Sequence, residues 1–322
     1  MIMRNRNVFV TGATGLVGSW LVANLLDQGA TVSALILEED PNSELLRSGN
    51  IKKIKAIPGN LTNLELLREV FLNSEFDTVF HLGAQTIVGT ALENPVDTFK
   101  SNIEGTWNLL ESIRTSKKPA KSIVVASSDK AYGTAENLPY KENTKLQGEG
   151  PYDVSKSCTD LIAQSYGKTY GMPVAVARCG NIYGGGDLNW SRIVPGTVKA
   201  LIQGKQPIIR SDGTYVRDYI YVEDIADAYI QLSNHQLKTP QLGSAYNFSR
   251  DEPISVLEIY RAICQVMVGE FVEPIIKNET KAEIKNQHLD SSKARETLQW
   301  RSGVNLESGL QKTSKWYREL IG

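Results

Sequence analysis

Short runs of apolar and β-branched residues alternate with amphipathic stretches through the first 180 residues of this 322-residue chain. Six of the runs are predicted to be strands: Val8–Thr11, Thr31–Leu37, Ile54–Pro58, Thr78–Leu82, Ser122–Ser127 and Val174–Arg178. The longer amphipathic stretches are predicted to be helices: Leu16–Gln28, Asn63–Phe71, Pro95–Ser116 and Pro151–Tyr170. Because continuous apolar strands separated by helices form parallel sheets with both faces covered, the pattern predicts a doubly wound α/β fold.

Beyond residue 180 the alternation is less regular and begins with a glycine-rich stretch at 180–186. We therefore expect one domain built on the parallel sheet, from residues 1–180 and 218–245. Residues 181–217 and 246–322 are expected to form a smaller domain over the carboxyl edge of that sheet. A helix at Asp224–Asn234 should return to the first domain. No linker rich in proline, glycine or serine separates the two parts, so we expect them to interleave.

The composition excludes several kinds of protein. Hydrophobic residues make up 41% and charged residues 22%, as in an ordinary globular chain. The formal net charge of −1 provides no basic field for nucleic acid or an anionic membrane. The apolar runs are too short to span a bilayer, and the first residues do not form a secretory leader. Three cysteines and three histidines show no disulfide or metal-ligand spacing. We expect a cytoplasmic protein without a metal site.

The segment Val8–Gly18 places a strand, a glycine turn and the start of a helix in direct succession. Gly12 would allow the tight turn, Gly15 the close approach of a pyrophosphate, and Gly18 the packing of the helix on the strand. The helix N-terminus would offer free N–H groups and the positive end of its dipole to phosphates. The pattern predicts dinucleotide binding, with a glycine-rich turn that binds nothing as the alternative.

An acidic residue follows the second predicted strand. Glu38 lies 20 residues after Gly18, where a carboxylate can accept hydrogen bonds from both hydroxyls of the adenosine ribose. The same carboxylate would repel a 2′-phosphate, which favours NAD over NADP as the cofactor. The alternative is a solvated acidic loop, since Glu39 and Asp40 follow directly.

Tyr152 and Lys156 lie four residues apart on a predicted helix and so share one face of it. A lysine cation stabilises phenolate, so we expect the pKa of Tyr152 to fall toward the working pH, as a general base requires. Ser127 and Ser128 end the fifth predicted strand and would bring a hydroxyl to the same carboxyl edge of the sheet. Together with the glycine turn, these residues indicate nucleotide-dependent hydride chemistry.

In these motifs the chain resembles the extended short-chain dehydrogenase/reductase family, in its nucleotide-sugar epimerase and dehydratase branch. The matching segments are Thr11–Gly18, His81–Ala84, Asn102–Thr106, Ser127–Gly133, Tyr152–Lys156, Arg178–Asn181, Arg217–Asp224 and Leu289–Trp300. The resemblance covers essentially the whole chain. It implies a Rossmann fold with an interleaved C-terminal domain that binds a nucleotide-diphosphate sugar, and NAD as the cofactor.

The resemblance also implies roles for individual residues. The expected catalytic residues are Ser128, Asp129, Lys130, Tyr152 and Lys156. The expected cofactor-binding residues are Gly12, Thr14, Gly15, Leu16, Val17, Gly18, Glu38, Asn60, Leu61, Leu82, Gly83, Ala84, Asn102, Tyr152 and Lys156. The expected substrate-binding residues are Gln85, Asn181, Arg192 and Arg217. His81 is expected near the cofactor without a catalytic role. The alternative for Arg217 is a structural pair with Asp218 or Glu223.

The residues after Ser128 distinguish two branches of this family. Epimerases usually have small, non-ionising residues there, whereas most 4,6-dehydratases have an acid and a base. The Ser128-Asp129-Lys130 form resembles the CDP-glucose 4,6-dehydratases, as do Gly18–Leu21 and Gly180–Asp187. Asp129 would act as the acid if its pKa is raised by burial, and Lys130, or a water that it positions, as the base. An ordinary ion pair at a strand end is the structural alternative.

These observations favour an NAD-dependent nucleotide-sugar 4,6-dehydratase. The enzyme would oxidise C4, eliminate water across C5 and C6, and return hydride to C6. A nucleotide-sugar 4-epimerase and a non-catalytic dinucleotide-sensing protein are the alternatives. We also expect a homodimer formed as a four-helix bundle from the helices near Pro95–Ser116 and Pro151–Tyr170. Their apolar residues exceed what one buried face needs: Phe99, Ile103, Trp107, Leu110, Leu161 and Ile162.

Overall fold

The computed structural model describes residues 3–279 and 283–322; residues 1, 2 and 280–282 lie outside the described part. The strands are β1 (Asn7–Thr11), β2 (Thr31–Ile36), β3 (Lys55–Pro58), β4 (Thr78–His81), β5 (Ser122–Ala126), β6 (Val174–Cys179), β7 (Asn181–Tyr183), β8 (Ile208–Ile209), β9 (Val216–Tyr221), β10 (Ser244–Phe248), β11 (Pro253–Ser255) and β12 (Ile275–Ile276). The six strands predicted from the sequence correspond to β1–β6, and their ends differ from the prediction by one residue at most.

The α-helices are α1 (Leu16–Asp27), α2 (Glu44–Arg47), α3 (Leu64–Asn73), α4 (Val88–Glu93), α5 (Pro95–Phe99), α6 (Gly105–Arg114), α7 (Pro151–Tyr170), α8 (Ile193–Ile202), α9 (Val222–Lys238), α10 (Val256–Val268), α11 (Ser292–Leu298) and α12 (Leu306–Ile321). Two 3-10 turns lie at Asn50–Lys53 and Asp129–Tyr132. The helix predicted over Pro95–Ser116 is interrupted by a π turn at Lys100–Glu104, which separates α5 from α6. Within the described residues, no helix is both long and apolar enough to cross a membrane.

The centre of the molecule is a seven-stranded parallel sheet in the order β10-β6-β5-β4-β1-β2-β3. Alternation along β1 sends Val8 and Val10 into the apolar layer beneath α1 and α9, and Phe9 into the layer beneath α3, α6 and α7. Helices therefore cover both faces, and the predicted doubly wound fold is confirmed.

A smaller part of the chain packs over the carboxyl edge of this sheet. Strands β7, β9 and β11 form a mixed three-stranded sheet, and β8 pairs with β12. Helices α8, α10 and α12 pack with β7 and β9 around a separate apolar cluster that includes Tyr183, Ile263 and Trp316. The indole N–H of Trp20 on α1 donates to the carbonyl oxygen of Gly185 at 2.7 Å, which joins the two parts.

The expected division into two domains stays a proposal. β10 pairs with β6 along its whole length, from Ser244 to Phe248, and so continues past the boundary expected at residue 245. The larger sheet therefore extends three residues further than the sequence pattern indicated.

Candidate active site

A cavity of about 880 Å³ runs along the carboxyl ends of the central strands, between the large sheet and the smaller part of the chain. Most of the residues predicted to form the site line it: Gly12, Thr14, Gly15, Leu16, Val17, Gly18, Asn60, Leu61, Leu82, Gly83, Ala84, Ser128, Asp129, Lys130, Tyr152, Lys156, Asn181, Arg192 and Arg217. Elements as far apart in sequence as Gly12 and Arg217 thus meet at one edge, where open α/β sheets bind their ligands.

Two predicted binding residues lie outside the cavity lining, because their amide groups are used inside the protein. The side-chain amide of Gln85 donates to the carbonyl oxygen of Ile87 and to Oγ1 of Thr98. The amide of Asn102 is buried and donates to the carbonyl oxygen of Gln85 and to Oγ of Ser155, each at 2.9 Å. The predicted direct roles of Gln85 in substrate binding and of Asn102 in cofactor binding stay predictions, and the amide of Asn102 joins the loop after β4 to α7.

Glu38 is exposed at the end of β2 and also lies outside the lining, whereas its neighbour Leu37 is part of it. Glu38 thus follows a lining residue in the sequence. Its predicted contact with the ribose of a cofactor stays a prediction.

The glycine turn between β1 and α1 has no room for side chains. Gly12 has φ of +74°, and a Cβ atom there would lie 2.7 Å from the backbone nitrogen of Gly83. A Cβ atom at Gly18 would lie 2.0 Å from the carbonyl oxygen of Gly12. Glycine at these two positions therefore allows β1, the loop after β4 and α1 to meet closely.

The N-terminus of α1 is open toward the cavity. No described side chain caps the helix at Gly15, and its first turn contains no acidic residue. Its backbone N–H groups and the positive end of its dipole remain available to an anion. This cradle fits the pyrophosphate of a dinucleotide.

His81 is buried at the end of β4 and is hydrogen-bonded to Thr11 and Thr106. Oγ1 of Thr106 donates to the carbonyl oxygen of Asn102 and therefore accepts from Nε2 of His81, at 3.0 Å. Nδ1 therefore carries no proton and accepts a hydrogen bond from Oγ1 of Thr11 at 2.8 Å. Burial lowers the pKa of His81 to about 3, so the ring is neutral. Because Thr11 Oγ1 also accepts from the N–H of Gly83, the histidine fixes the loop that faces the glycine turn.

Tyr152 and Lys156 share one face of α7, and both line the cavity. Nζ of Lys156 donates to the carbonyl oxygen of Ala126, at the end of β5, at 2.6 Å. Burial raises the pKa of Tyr152 to about 12 and lowers the pKa of Lys156 to about 8. The expected fall in the pKa of Tyr152 is therefore wrong for the protein alone, because desolvation outweighs the opposing effects of the Arg192 charge and of a hydrogen bond to Ser128.

Ser128, Asp129 and Lys130 begin the 3-10 turn that follows β5. Oγ of Ser128 accepts from the backbone N–H of Lys130 at 3.2 Å and donates to Oδ1 of Asp129 at 3.0 Å. The Asp129 side chain lines the cavity although the residue is only 2% exposed, and its Oδ2 has no hydrogen-bond partner among the described residues. Burial raises the pKa of Asp129, as predicted, while the Lys130 charge opposes the rise.

Two predicted substrate-binding arginines also line the cavity. Nη1 of Arg192 lies 3.1 Å from Oδ2 of Asp187. The buried guanidinium of Arg217 donates to the carbonyl oxygens of Ile284 and Lys285 and pairs with Glu283 at 3.3 Å. The structural pair for Arg217 is thus Glu283 rather than Asp218 or Glu223.

Several lining residues were not assigned by the sequence analysis, among them Arg210, Tyr215 and Asp187 as a partner of Arg192. Arg210 directly follows β8, which has only two residues and therefore no periodic pattern. A cation after a short apolar run was the only sequence signal for it. Asp187 could have been found from the sequence, because its partner Arg192 lies only five residues further along the chain.

Known proteins resemble this chain over nearly its whole length. The chain is 28% identical to the CDP-glucose 4,6-dehydratase of Salmonella typhimurium, over 99% of this chain and 92% of that one. It is also 28% identical to a trifunctional UDP-glucose 4,6-dehydratase/UDP-4-keto-6-deoxy-D-glucose 3,5-epimerase/UDP-4-keto-L-rhamnose reductase of Arabidopsis thaliana. That match covers 98% of this chain but only 47% of the Arabidopsis protein, so the chain spans about half of that relative's length.

Solved structures share the whole fold. The UDP-glucose 4-epimerase of Thermotoga maritima, solved with UDP-glucose, has a TM-score of 0.88 and 26% identity over 98% of this chain and all of that one. The dTDP-glucose 4,6-dehydratase of Bacillus anthracis, solved with NAD, has a TM-score of 0.85 and 24% identity over 98% of this chain and 97% of that one, which supports the fold. Residues 9–313, nearly the entire chain, match the family model described as GDP-mannose 4,6-dehydratase, and the chain belongs to that family.

Proposed function

We propose that this chain is an NAD-dependent nucleotide-sugar 4,6-dehydratase that converts a nucleoside-diphosphate hexose to the 4-keto-6-deoxy sugar. The observation that carries the proposal is Asp129, a buried cavity residue whose Oδ2 has no partner among the described residues. Elimination of water across C5 and C6 needs a group that donates a proton to the departing 6-hydroxyl. A 4-epimerase has no use for such a group.

The cofactor proposal rests on the cradle formed by the glycine turn and the open N-terminus of α1. Thr14, Gly15 and the first residues of α1 would hold the pyrophosphate, and Glu38 would favour NAD over NADP. When bound, NAD supplies the hydride acceptor for C4 and the hydride that returns to C6. The side chains of the protein cannot provide this chemistry.

Tyr152 is the residue proposed to remove the proton of the 4-hydroxyl. Its phenol needs nearby positive charge to ionise, because burial raises its pKa to about 12. The ammonium of Lys156, held against Ala126, lies on the same helix face and supplies one such charge. Arg192 supplies a second, since its charge lowers the pKa of Tyr152.

Asp129 is proposed to protonate the departing 6-hydroxyl, which leaves as water. The carboxyl group can hold this proton because burial raises its pKa. Burial raises the pKa of both Asp129 and Asp153, and the charge of Lys130 opposes the rise in each. Lys130, or a water that it positions, is proposed to remove the C5 proton.

The proposed substrate is a nucleoside-diphosphate hexose, with CDP-glucose as the first to test. Asn181, Arg192 and Arg217 line the cavity and are proposed to bind its diphosphate. Arg217 would exchange part of its contact with Glu283 for a phosphate oxygen. The choice of cytidine rests on the Ser128-Asp129-Lys130 form and on the relative from Salmonella typhimurium.

We also propose a homodimer through α5, α6 and α7. Exposed apolar side chains on these helices include Val96, Trp107 (43% exposed) and Leu161 (53% exposed). An apolar surface of this kind is commonly covered by a second copy of the chain. Leu110, assigned to this surface from the sequence, is fully buried in the core and is removed from it.

Mass spectrometry of the reaction product separates the proposal from its alternatives. The protein is incubated with NAD and a panel of CDP-, UDP-, dTDP- and GDP-hexoses. A dehydratase removes one water from its substrate, whereas a 4-epimerase, which Tyr152 and Lys156 alone could serve, leaves the mass unchanged. A dinucleotide-sensing protein converts none of them. Conversion without loss of water would contradict the proposal.

A further inference from the structure

A fully buried ion pair connects α7 to the interior of the large sheet. Arg178 on β6 donates from Nε to Oδ2 of Asp160 at 2.7 Å and from Nη2 to Oδ1 at 2.9 Å. The two side chains are 2% and 0% exposed. Asp160 lies one turn after Lys156 on α7, so the pair is anchored to the helix that carries the C4 chemistry.

The other end of Arg178 contacts the 3-10 turn Asp129–Tyr132. Nη1 donates to the hydroxyl of Tyr132 at 2.8 Å, and that hydroxyl donates to Oδ1 of Asn247 at 2.7 Å. The guanidinium also lies 4.8 Å from the centroid of the Tyr132 ring, which stacks on Tyr140 at 4.8 Å and an interplanar angle of 16°. Tyr132 is the last residue of the turn that begins with Asp129.

This arrangement is difficult to explain by stability alone. The desolvation of a buried ion pair offsets much of its attraction, and apolar replacements are often equally stable. Neither Asp160 nor Arg178 lines the cavity, so neither has a place in direct contact with substrate. What the pair supplies is fixed geometry, because a bidentate contact between guanidinium and carboxylate allows little rotation.

We propose that Asp160, Arg178 and Tyr132 form a positioning network that holds the Asp129–Lys130 turn in register with Tyr152 and Lys156. The network would keep the two halves of the site, one for C4 and one for C5 and C6, at a constant separation. This assignment of the turn's chemistry rests on the proposed 4,6-dehydratase function. None of the three residues acts on the substrate itself.

A second contact between the same elements makes the inference testable without loss of the fold. Oγ of Ser157 on α7 donates to the carbonyl oxygen of Ala131 at 2.7 Å and holds the backbone of the turn. Removal of the Tyr132 hydroxyl should therefore loosen the turn while Ser157 and the stacked ring of Tyr132 keep it folded.

The first test is Tyr132→Phe, which removes only the hydroxyl. Misplacement of a reacting group by about 1 Å costs up to roughly a hundredfold in rate. We expect water elimination to slow by about tenfold to a hundredfold, whereas the appearance of absorbance at 340 nm, which reports C4 oxidation, changes less than about threefold. The matched control is Tyr260→Phe, which removes a hydroxyl bonded to the carbonyl oxygen of Val272; Tyr260 does not line the cavity, and the change should alter neither rate.

The second test does not depend on activity. Hydrogen–deuterium exchange is measured for the amides of residues 129–133 and 193–202 in the parent, in Tyr132→Phe and in the double variant Asp160→Leu/Arg178→Met. The double variant removes both charges and so leaves no unpaired buried ion. We expect faster exchange at 129–133 in both variants and unchanged exchange at 193–202.

The outcomes separate the inference from the proposed function. Unchanged exchange at 129–133 in both variants, or a uniform increase throughout the chain, would overturn the positioning network. Local loosening at 129–133 in a protein that releases no water from any tested substrate would support the network and overturn the dehydratase proposal. Local loosening together with a selective loss of water elimination would support both.

Discussion

Nζ of Lys156 lies 2.6 Å from the carbonyl oxygen of Ala126, so the ammonium beside Tyr152 is fixed to the end of β5. The end of this strand leads directly into Ser128 and Asp129. The lysine therefore links the helix that carries the phenol to the turn that carries the proposed acid. Burial lowers its pKa to about 8, so its charge depends on pH in the physiological range.

Replacement of Tyr152 by Phe or of Lys156 by Ala should abolish most C4 oxidation. General acid or base groups contribute about two to four decades of rate, and both residues serve the same proton transfer. The measurement is the rate of increase in absorbance at 340 nm after mixing with substrate. Lys168→Ala, an exposed change on the same helix, is the control and should behave as the parent. Normal oxidation by Tyr152→Phe would remove the phenol from its proposed role.

Asp129→Asn and Lys130→Ala should each lose about two to four decades of water elimination while C4 oxidation continues. The reason is that elimination alone needs the acid at O6 and the removal of the C5 proton. Because the protonated form of Asp129 is the active one, elimination in the parent should fall as pH rises through its raised pKa. Product mass and absorbance at 340 nm are followed together. If both variants eliminate water at the parent rate, the pair is an ordinary strand-end ion pair and the 4-epimerase proposal takes first place.

The protein should bind NAD more tightly than NADP. A carboxylate next to a 2′-phosphate is electrostatically unfavourable, and Glu38 follows the lining residue Leu37. Dissociation constants for both cofactors are measured by calorimetry for the parent, for Glu38→Gln and for the neighbouring control Glu39→Gln. The preference should shrink in Glu38→Gln alone. Equal affinities in the parent would remove Glu38 from this role.

His81 should make the protein less stable in acid. Its folded pKa of about 3 lies below the ordinary value of 6.5, so the unfolded chain gains a proton first as pH falls. The stability that His81 contributes is therefore present above pH 6.5 and is lost as pH falls toward 3. At about 1.4 kcal/mol per pKa unit, the free energy of unfolding should fall by about 2 kcal/mol between pH 6.5 and 5. Urea unfolding at pH 7 and pH 5 should show a smaller difference for His81→Gln than for the parent, and equal differences would contradict a neutral buried histidine.

The dimer proposal predicts that Trp107→Glu or Leu161→Glu yields monomers. Either change places a charge in the apolar surface of α6 and α7 and makes its burial against a second copy unfavourable. Analytical ultracentrifugation at micromolar concentration measures the mass. Leu72→Glu changes a residue of similar exposure on α3, outside this surface, and should leave the mass as in the parent. A monomeric parent would contradict the proposal.

The first half of the fold follows from local patterns. The ends of β1–β6 could be predicted to within one residue because strand periodicity and the turns between strands are encoded in neighbouring residues. The glycine turn could also be predicted, since Gly12 has a positive φ and Gly18 contacts Gly12 within a single strand–turn–helix unit. The smaller part of the chain was less predictable, because strands as short as β8 and β12 have no periodicity.

Only the tertiary structure determines the properties that depend on residues far away in sequence. Burial raises the pKa of Tyr152 to about 12, whereas the sequence pattern draws attention to the lysine one turn away. Arg217 pairs with Glu283, 66 residues distant, rather than with its acidic neighbours. Asn102 belongs to a family motif, yet its amide bonds to Gln85 and not to the cavity. Local residue order specifies which chemical groups reach the carboxyl edge of the sheet, but their charge and orientation follow from desolvation and from contacts that form only when distant segments pack together.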